Sequence, residues 1–257
     1  MTGTHHFLTD QRIGASPIHR LDPRAKIVGF LTLTVVGVST PATEVWAFAL
    51  YYALLLFLVG LSRLPLAFVV RRAALVLPVV AVVAVFMPFF HGGGGRTFHV
   101  LGGVEVTEAG LMLLSNVLLK AALGALSAIV LGLTTSFGEL IVGLDGLRVP
   151  RIFTLIVSFM YRYSFVFTEE SRRMHRAMES RNYRGRWLWD AKVIGHMVSA
   201  LFLRSYHRGE RVYVAMISRG YDGTMPAASP PGIHSAEVVF VVCLTLALGA
   251  IRTGAAL

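Results

Sequence analysis

The nine residues Ala177-Met178-Glu179-Ser180-Arg181-Asn182-Tyr183-Arg184-Gly185 return, altered, as Ala215-Met216-Ile217-Ser218-Arg219-Gly220-Tyr221-Asp222-Gly223, with six of the nine positions identical. Each copy closes a basic, amphipathic stretch in a chain that is otherwise apolar. An Ala-Met-x-Ser-Arg placed at two helix ends is one surface device used twice. It fits a partner that is itself a two-fold object.

The surrounding composition is that of a membrane protein. Hydrophobic residues make up 55% of the 257, charged residues only 15%, and the mean hydropathy is +0.66. Soluble domains carry about 25% charged residues, so the chain reads as an integral membrane protein with one membrane domain over 1–257. A single cysteine, Cys243, lies in an apolar run, which excludes a disulfide framework or thiolate cluster within the chain. The first residues hold His5, His6, Asp10, Arg12 and Arg20 with no early apolar core. They read as a cytoplasmic tail, not a secretory signal.

Apolar runs able to span fall at 25–40, 45–61, 73–90, 110–133 and 236–251. A straight span needs about 20 residues, so the first and last must recruit neighbours. Helices are expected because backbone groups cannot stay unpaired in lipid and nothing alternates as barrel strands do. Pro78 and Pro88 point to a kink or early end in the third run. The expected fold is therefore all-α: about five transmembrane helices and two long amphipathic cytoplasmic helices. The chain would divide into a tail (1–24), a four-span bundle (25–133), a cytoplasmic or embedded region (134–235) and a last span (236–257).

Positive charge sets the orientation. Of the 24 Lys and Arg residues, 21 fall on one side, and the opposite loop near 91–109 holds only Arg96. The amino terminus and 134–235 are thus expected in the cytoplasm. The +10 net charge belongs to that membrane face and carries no implication of nucleic acid. The run 152–168 is long enough to span, but Arg162 sits in its middle and basic residues flank both ends. A lipid-facing central Arg is costly, so this run reads as embedded in the cytoplasmic half and packed against protein. From Asp190 to Arg219, apolar residues recur at helical spacing: Val193, Ile194, Met197, Val198, Leu201, Phe202, Val212, Tyr213, Met216 and Ile217. Such a helix reaches about 45 Å, and its predecessor over 150–181 is of similar length.

The repeated signature suits a helix tip that docks. Asn182 and Gly220 hold the same place, and these residue types favour the left-handed conformation beyond a helix end. Arg181 and Arg219 complement the negative end of the helix dipole and can reach carboxylates or carbonyls of another protein. Ala177 and Ala215, four residues earlier, lie on the same face and permit close approach. Met178 and Met216 can fill an apolar slot, as in helix-in-groove recognition.

These features make the chain similar to the transmembrane T component of energy-coupling factor (ECF) transporters, and within it to the cobalt-type CbiQ family. His19-Arg20-Leu21-Asp22-Pro23-Arg24-Ala25-Lys26 resembles the family's Leu-Asp-Pro-Arg-x-Lys motif before the first span. Ser158-Phe159-Met160-Tyr161-Arg162-Tyr163, with Glu169-Glu170-Ser171-Arg172-Arg173-Met174, resembles the cobalt/nickel subgroup. The two nine-residue copies match the paired Ala-Arg-Gly signatures of its coupling helices, save that Asn182 replaces the usual glycine. The resemblance implies a non-enzymatic scaffold in the bacterial cytoplasmic membrane that transmits motion from a CbiO-like ATPase dimer to a CbiM-like substrate-binding subunit, with a small CbiN-like subunit as a further partner. ATP would bind the partner ATPase, and the transported ion would be cobalt, with nickel as the alternative. Arg181 and Arg219 would be the anchors, Ala177 and Ala215 the close contacts, Ser180 and Ser218 polar contacts, and Asn182 and Gly220 the helix stops.

Other chemistries find little support in the residues. No Gly-x-x-x-x-Gly-Lys-Ser/Thr occurs, and Gly92–Gly95 lack the lysine and hydroxyl that a phosphate cradle needs. His5, His6, His91 and His99 lack ligand spacing and a carboxylate cluster. Lys120, with Asn116 before it and Gly124 after it on one face, reads as a polar, small-residue seam against another helix, with an ion pathway as the alternative. Asp22 either pairs with Arg24 or caps the first span, with Pro23 at the first helical position. A self-contained secondary transporter would need intramembrane acids or broken helices, and an embedded enzyme a nucleophile–base set or metal cluster.

Overall fold

The computed structural model describes residues 16, 18, 21–41, 44–84, 86, 97–100, 104–181, 183, 191–223 and 235–254. Among these residues the chain forms eight helices and one hairpin, in two compact units: residues 1–143 with 231–257, and residues 144–230.

The first unit opens with α1 (Pro23–Ser39). Asp22 Oδ1 accepts the Arg24 backbone N–H at 2.8 Å, and Pro23 takes the first helical position. Asp22 therefore caps the helix, the second of its two expected roles. Next come α2 (Val45–Leu61), α3 (Leu66–Ala84), the strands β1 (Thr97–Val100) and β2 (Val104–Thr107), and α4 (Glu108–Thr134). The short α5 (Phe137–Gly146) follows, and α8 (Ser235–Gly254) closes the chain.

Four of the five expected runs sit where sequence placed them, and α8 reaches 20 residues by drawing in its flanks. The third differs. The described helix α3 runs from Leu66 through Pro78 to Ala84, with Pro88 outside the described residues, so Arg71 and Arg72 ride on the helix and not in a loop. Arg72 is carried by its own helix, its guanidinium 5.3 Å over the Phe68 ring. Pro78 removes one backbone bond without breaking the helix, as membrane helices packed on neighbours tolerate. Residues Thr97–Val100 and Val104–Thr107 pair as an antiparallel hairpin, with Thr97 opposite Thr107 and Val100 opposite Val104, a small addition to an all-α fold.

Helix α4 packs against α1, α2 and α3, and α8 packs against α1 and α2. Phe30, Leu33, Phe48, Tyr51, Leu55, Val59, Leu123, Val130, Leu244 and Leu248 fill the space between them. Close approach needs small residues: a Cβ on Gly37 would run into the Leu123 side chain, and one on Gly29 would lie 2.9 Å from Leu244. Polar side chains tie the same seams. Thr34 donates to Ser127 Oγ (3.1 Å), which donates to the Phe30 carbonyl (3.1 Å), and Tyr52 Oη donates to the Leu119 carbonyl (2.8 Å). Asn116 is buried and Gly124 lies 3.6 Å from the Thr34 methyl at an added Cβ, with Lys120 half-buried between them. At Gly124 this face approaches α1.

The two ends of this unit are pinned. At one, Lys26 Nζ donates to the Thr134 carbonyl at the carboxyl end of α4 (3.1 Å). At the other, Arg252 donates to the Ser39 carbonyl at the end of α1 (2.9 Å). Its outer surface is apolar: Leu75, Val79, Leu246 and Phe57 are 72%, 70%, 67% and 66% exposed. Helical stretches Gly110–Thr134 and Ser235–Gly254 are long and apolar enough to cross a membrane, and Trp46–Leu61 is a shorter apolar helix. Apolar surface on this scale faces lipid or another subunit, not water, which makes this a multi-pass helical membrane fold.

The second unit consists chiefly of α6 (Arg151–Ser180) and α7 (Ala191–Ile217), of 30 and 27 residues. The run 152–168 is the amino-terminal half of α6, continuous with the rest. Within its own unit this half is little covered. Ile152, Phe153, Ile156 and Met160 are 47–67% exposed, Arg162 is exposed too, and Thr154 is the buried residue of the helix. The reason is geometric: α6 meets α7 over a short crossing only.

Candidate functional site

Helix α7 ends in a full Schellman turn. The Gly220 N–H bonds the Ile217 carbonyl (2.9 Å), the Tyr221 N–H reaches back to Met216 (3.0 Å), and Gly220 sits at φ +83°. That left-handed backbone is what the glycine supplies. The end of α6 repeats the long bond: the Tyr183 N–H donates to the Met178 carbonyl at 3.2 Å. Arg181 N–H and Arg219 N–H each bond the matching Met carbonyl at 3.0 Å. The two copies thus share a backbone pattern. Asn182, the expected stop of the first copy, lies outside the described residues.

Burial follows the repeat position by position. Ala177, Ser180 and Arg181 are exposed, as are Ala215, Ser218, Arg219 and Gly220, while Met178, Met216, Tyr183 and Tyr221 are partly buried. Each tip therefore shows a small shoulder and a guanidinium outward, over a methionine and a tyrosine turned partly in. The serine hydroxyls donate to their own helices, Ser180 to the Ala177 carbonyl (3.0 Å) and Ser218 to Val214 (2.9 Å). Only their acceptor lone pairs remain for another molecule.

The charges nearby are mostly committed, in contrast to the anchors. Glu169 pairs with Arg173 (3.3 Å) and Arg176 (3.8 Å), His175 lies 3.5 Å from Glu179, and His207 lies 3.2 Å from Glu210. Glu170 of α6 pairs across to Arg204 of α7. Arg181 and Arg219 have no ion-pair partner among the described residues. Two solvated guanidiniums at helix carboxyl ends are poised for an external acceptor. Each tip belongs to its own helix, and the fold brings both into the same unit.

Sequence reading passed over the tyrosines, although Tyr183 and Tyr221 stand inside the quoted repeat. The signal was their fixed place one residue past the stop, where an apolar residue closes the turn. It also passed over Ser136-x-x-Glu139, a reciprocal capping box that starts α5: Ser136 N–H to Glu139 Oε2 (3.0 Å) and Glu139 N–H to Ser136 Oγ (3.3 Å). Among the described residues no three His, Cys, Asp or Glu side chains converge on a metal position. His5, His6, His91 and Gly92–Gly95 lie outside them.

Comparison with known proteins bears on this geometry. Residues 14–231, which include both tips, match the family model for the cobalt transport protein CbiQ. A protein described as a fused cobalt transport protein, CbiMQ, from Methanocorpusculum labreanum is 30% identical over 95% of the chain. The chain spans 41% of that relative's length. The energy-coupling factor transporter transmembrane protein EcfT of Listeria innocua is 27% identical, with 82% of each chain covered. EcfT of Brevibacillus brevis is 29% identical with the same coverage.

Proposed function

We propose a mechanism from the premise that this chain belongs to the CbiQ family of cobalt transport proteins, the T components of energy-coupling factor transporters. As such a component it is a scaffold that couples ATPase motion to a membrane-embedded substrate-binding partner, and it is not itself an enzyme. Its ATPase would be a CbiO-like dimer in the cytoplasm. Its substrate subunit would be CbiM-like, in keeping with the fused relative's printed name, and its cargo a cobalt ion.

The observation that carries the docking role is the matched pair of tips. Both share the backbone bonds from the Arg and Tyr amides to the Met carbonyl, and both present beside an alanine shoulder a guanidinium with no ion-pair partner among the described residues. A dimeric ATPase offers two equivalent grooves, one for each tip. ATP-driven change in groove spacing would then move α6 and α7. The exposed apolar residues of α7, among them Ile194, Val198 and Phe202, support its use as a seat for the substrate subunit.

In this reading α1, α2, α3, α4 and α8 are the five spans, and the amino terminus lies in the cytoplasm. The pinned ends support that arrangement. Lys26 and Thr134 share the face that charge counting assigns to the cytoplasm, and Ser39 and Arg252 share the opposite one.

The test is Arg181→Glu combined with Arg219→Glu. The variant should insert into the membrane normally yet lose its ATPase on purification. Truncating a hot-spot anchor costs about 2 kcal/mol or more, and charge reversal adds repulsion at each groove. An ATPase that still co-purifies in normal yield would contradict the docking role.

A further inference from the structure

Where α6 crosses α7, a cavity of about 270 Å³ opens between them, walled by Val166, Phe167 and Leu201. Its polar lining is uneven. Arg204, Arg208 and Arg211 of α7 all reach it, with His207 and Ser205, yet Glu170 of α6 is its one acid. Glu170 is bound to Arg204. Its side chain is 23% exposed, against 45% for its neighbour Glu169, so it is the better shielded of the two carboxylates. Arg204, Arg208 and Arg211 stand one turn apart on one helix face. Neither Arg208 nor Arg211 has an ion-pair partner among the described residues.

We propose that Glu170 is the positioning residue of the helix pair: it fastens α6 to Arg204 in this state and exchanges to Arg208 when the helices are driven. The proposal rests on the coupling role argued above. An ion pair with one partner 61% exposed is weak, which suits a contact that must break in every cycle. The cavity leaves the carboxylate room to travel, and the second guanidinium offsets the loss of the first. Four residues along α7 is about 6 Å, the scale of a one-turn ratchet between packed elements. The crossing also has leverage. Arg181 lies about 16 Å along α6 from Glu170, and Arg219 about 22 Å along α7 from Arg204. A small slip at the crossing therefore becomes a change in spacing at both tips.

The experiment uses the whole transporter complex, with Cys243→Ser and spin labels on Glu179→Cys and Ile217→Cys, exposed positions outside the proposed anchors. Tip-to-tip distance is measured with and without ATP, beside ATP-driven cobalt uptake. Glu170→Gln should keep its ATPase but broaden the nucleotide-free distance distribution and cut uptake about fivefold or more. Arg204→Gln should leave Glu170 to Arg208 and shift the nucleotide-free distance toward the value the unaltered chain takes with ATP. Exchanging the charges, Glu170→Arg with Arg204→Glu, should restore the resting distance but not the ATP-driven change, because the moved guanidinium then faces Arg208 with like charge. Normal distances and uptake in Glu170→Gln would overturn the proposal, as would full uptake in the charge exchange. Only complexes that retain their ATPase are read, so a failure here is distinct from failed docking, which the tip reversals report.

Discussion

Among the described residues Lys26 is the most deeply buried charged side chain, 1% exposed, and its position is physically specific. An ammonium in an apolar interior is tolerated only when it is hydrogen-bonded and sees negative potential. The Thr134 carbonyl at the end of α4 accepts its hydrogen bond, and the Glu139 and Asp22 carboxylates add negative potential to that of the helix end. Lys26→Met would keep the length and apolar stem of the side chain while leaving that carbonyl unpaired. Loss of a buried acceptor's partner costs about 1–3 kcal/mol, so the purified variant should melt at a lower temperature in detergent. An unchanged melting temperature would show that water or lipid satisfies Thr134 equally well.

At the scale of elements, the ends of α6 and α7 matter more than their middles. A helix of 27 residues would run on unless a residue accepts a left-handed backbone and turns the chain. Gly220 does so at φ +83°, in open space with nothing within 4 Å of an added Cβ. Gly220→Val is therefore a backbone test alone, with a left-handed penalty of about 1–2 kcal/mol for an L side chain. The Gly220 and Tyr221 amides, which close the turn onto Ile217 and Met216, should exchange hydrogen faster, and ATPase capture should weaken. Unaltered exchange would mean that the stop is set elsewhere than at the glycine.

On the whole-molecule scale the prediction concerns sidedness. Trp46 and Glu44 sit near the ends of α1 and α8, where Arg252 holds Ser39, and the orientation proposed above puts this end outside the cell and the two tips in the cytoplasm. In a Cys243→Ser background, Glu44→Cys should react with an impermeant maleimide added to intact cells. Ile217→Cys should react only after the membrane is opened. The reverse pattern would turn the orientation over and leave the tips unable to meet a cytoplasmic ATPase.

Sequence alone determined most of the outline, because its signals are local. Apolar length marks spans, Asp22-Pro23 marks a helix start, and Arg219-Gly220 marks a helix stop. Each depends on residues within a turn or two of one another. The two copies of the signature were likewise readable as matched helix ends from residue type and spacing. Capping at Ser136 and Glu139 was equally local and simply went unread. Tertiary structure decided the rest. That Pro78 sits inside α3 and that Lys26 closes α4 from 108 residues away both turn on neighbours remote in sequence. So does the pairing of Glu170 with Arg204: charge patterning shows several possible partners for each acid, and only the crossing of two helices selects one.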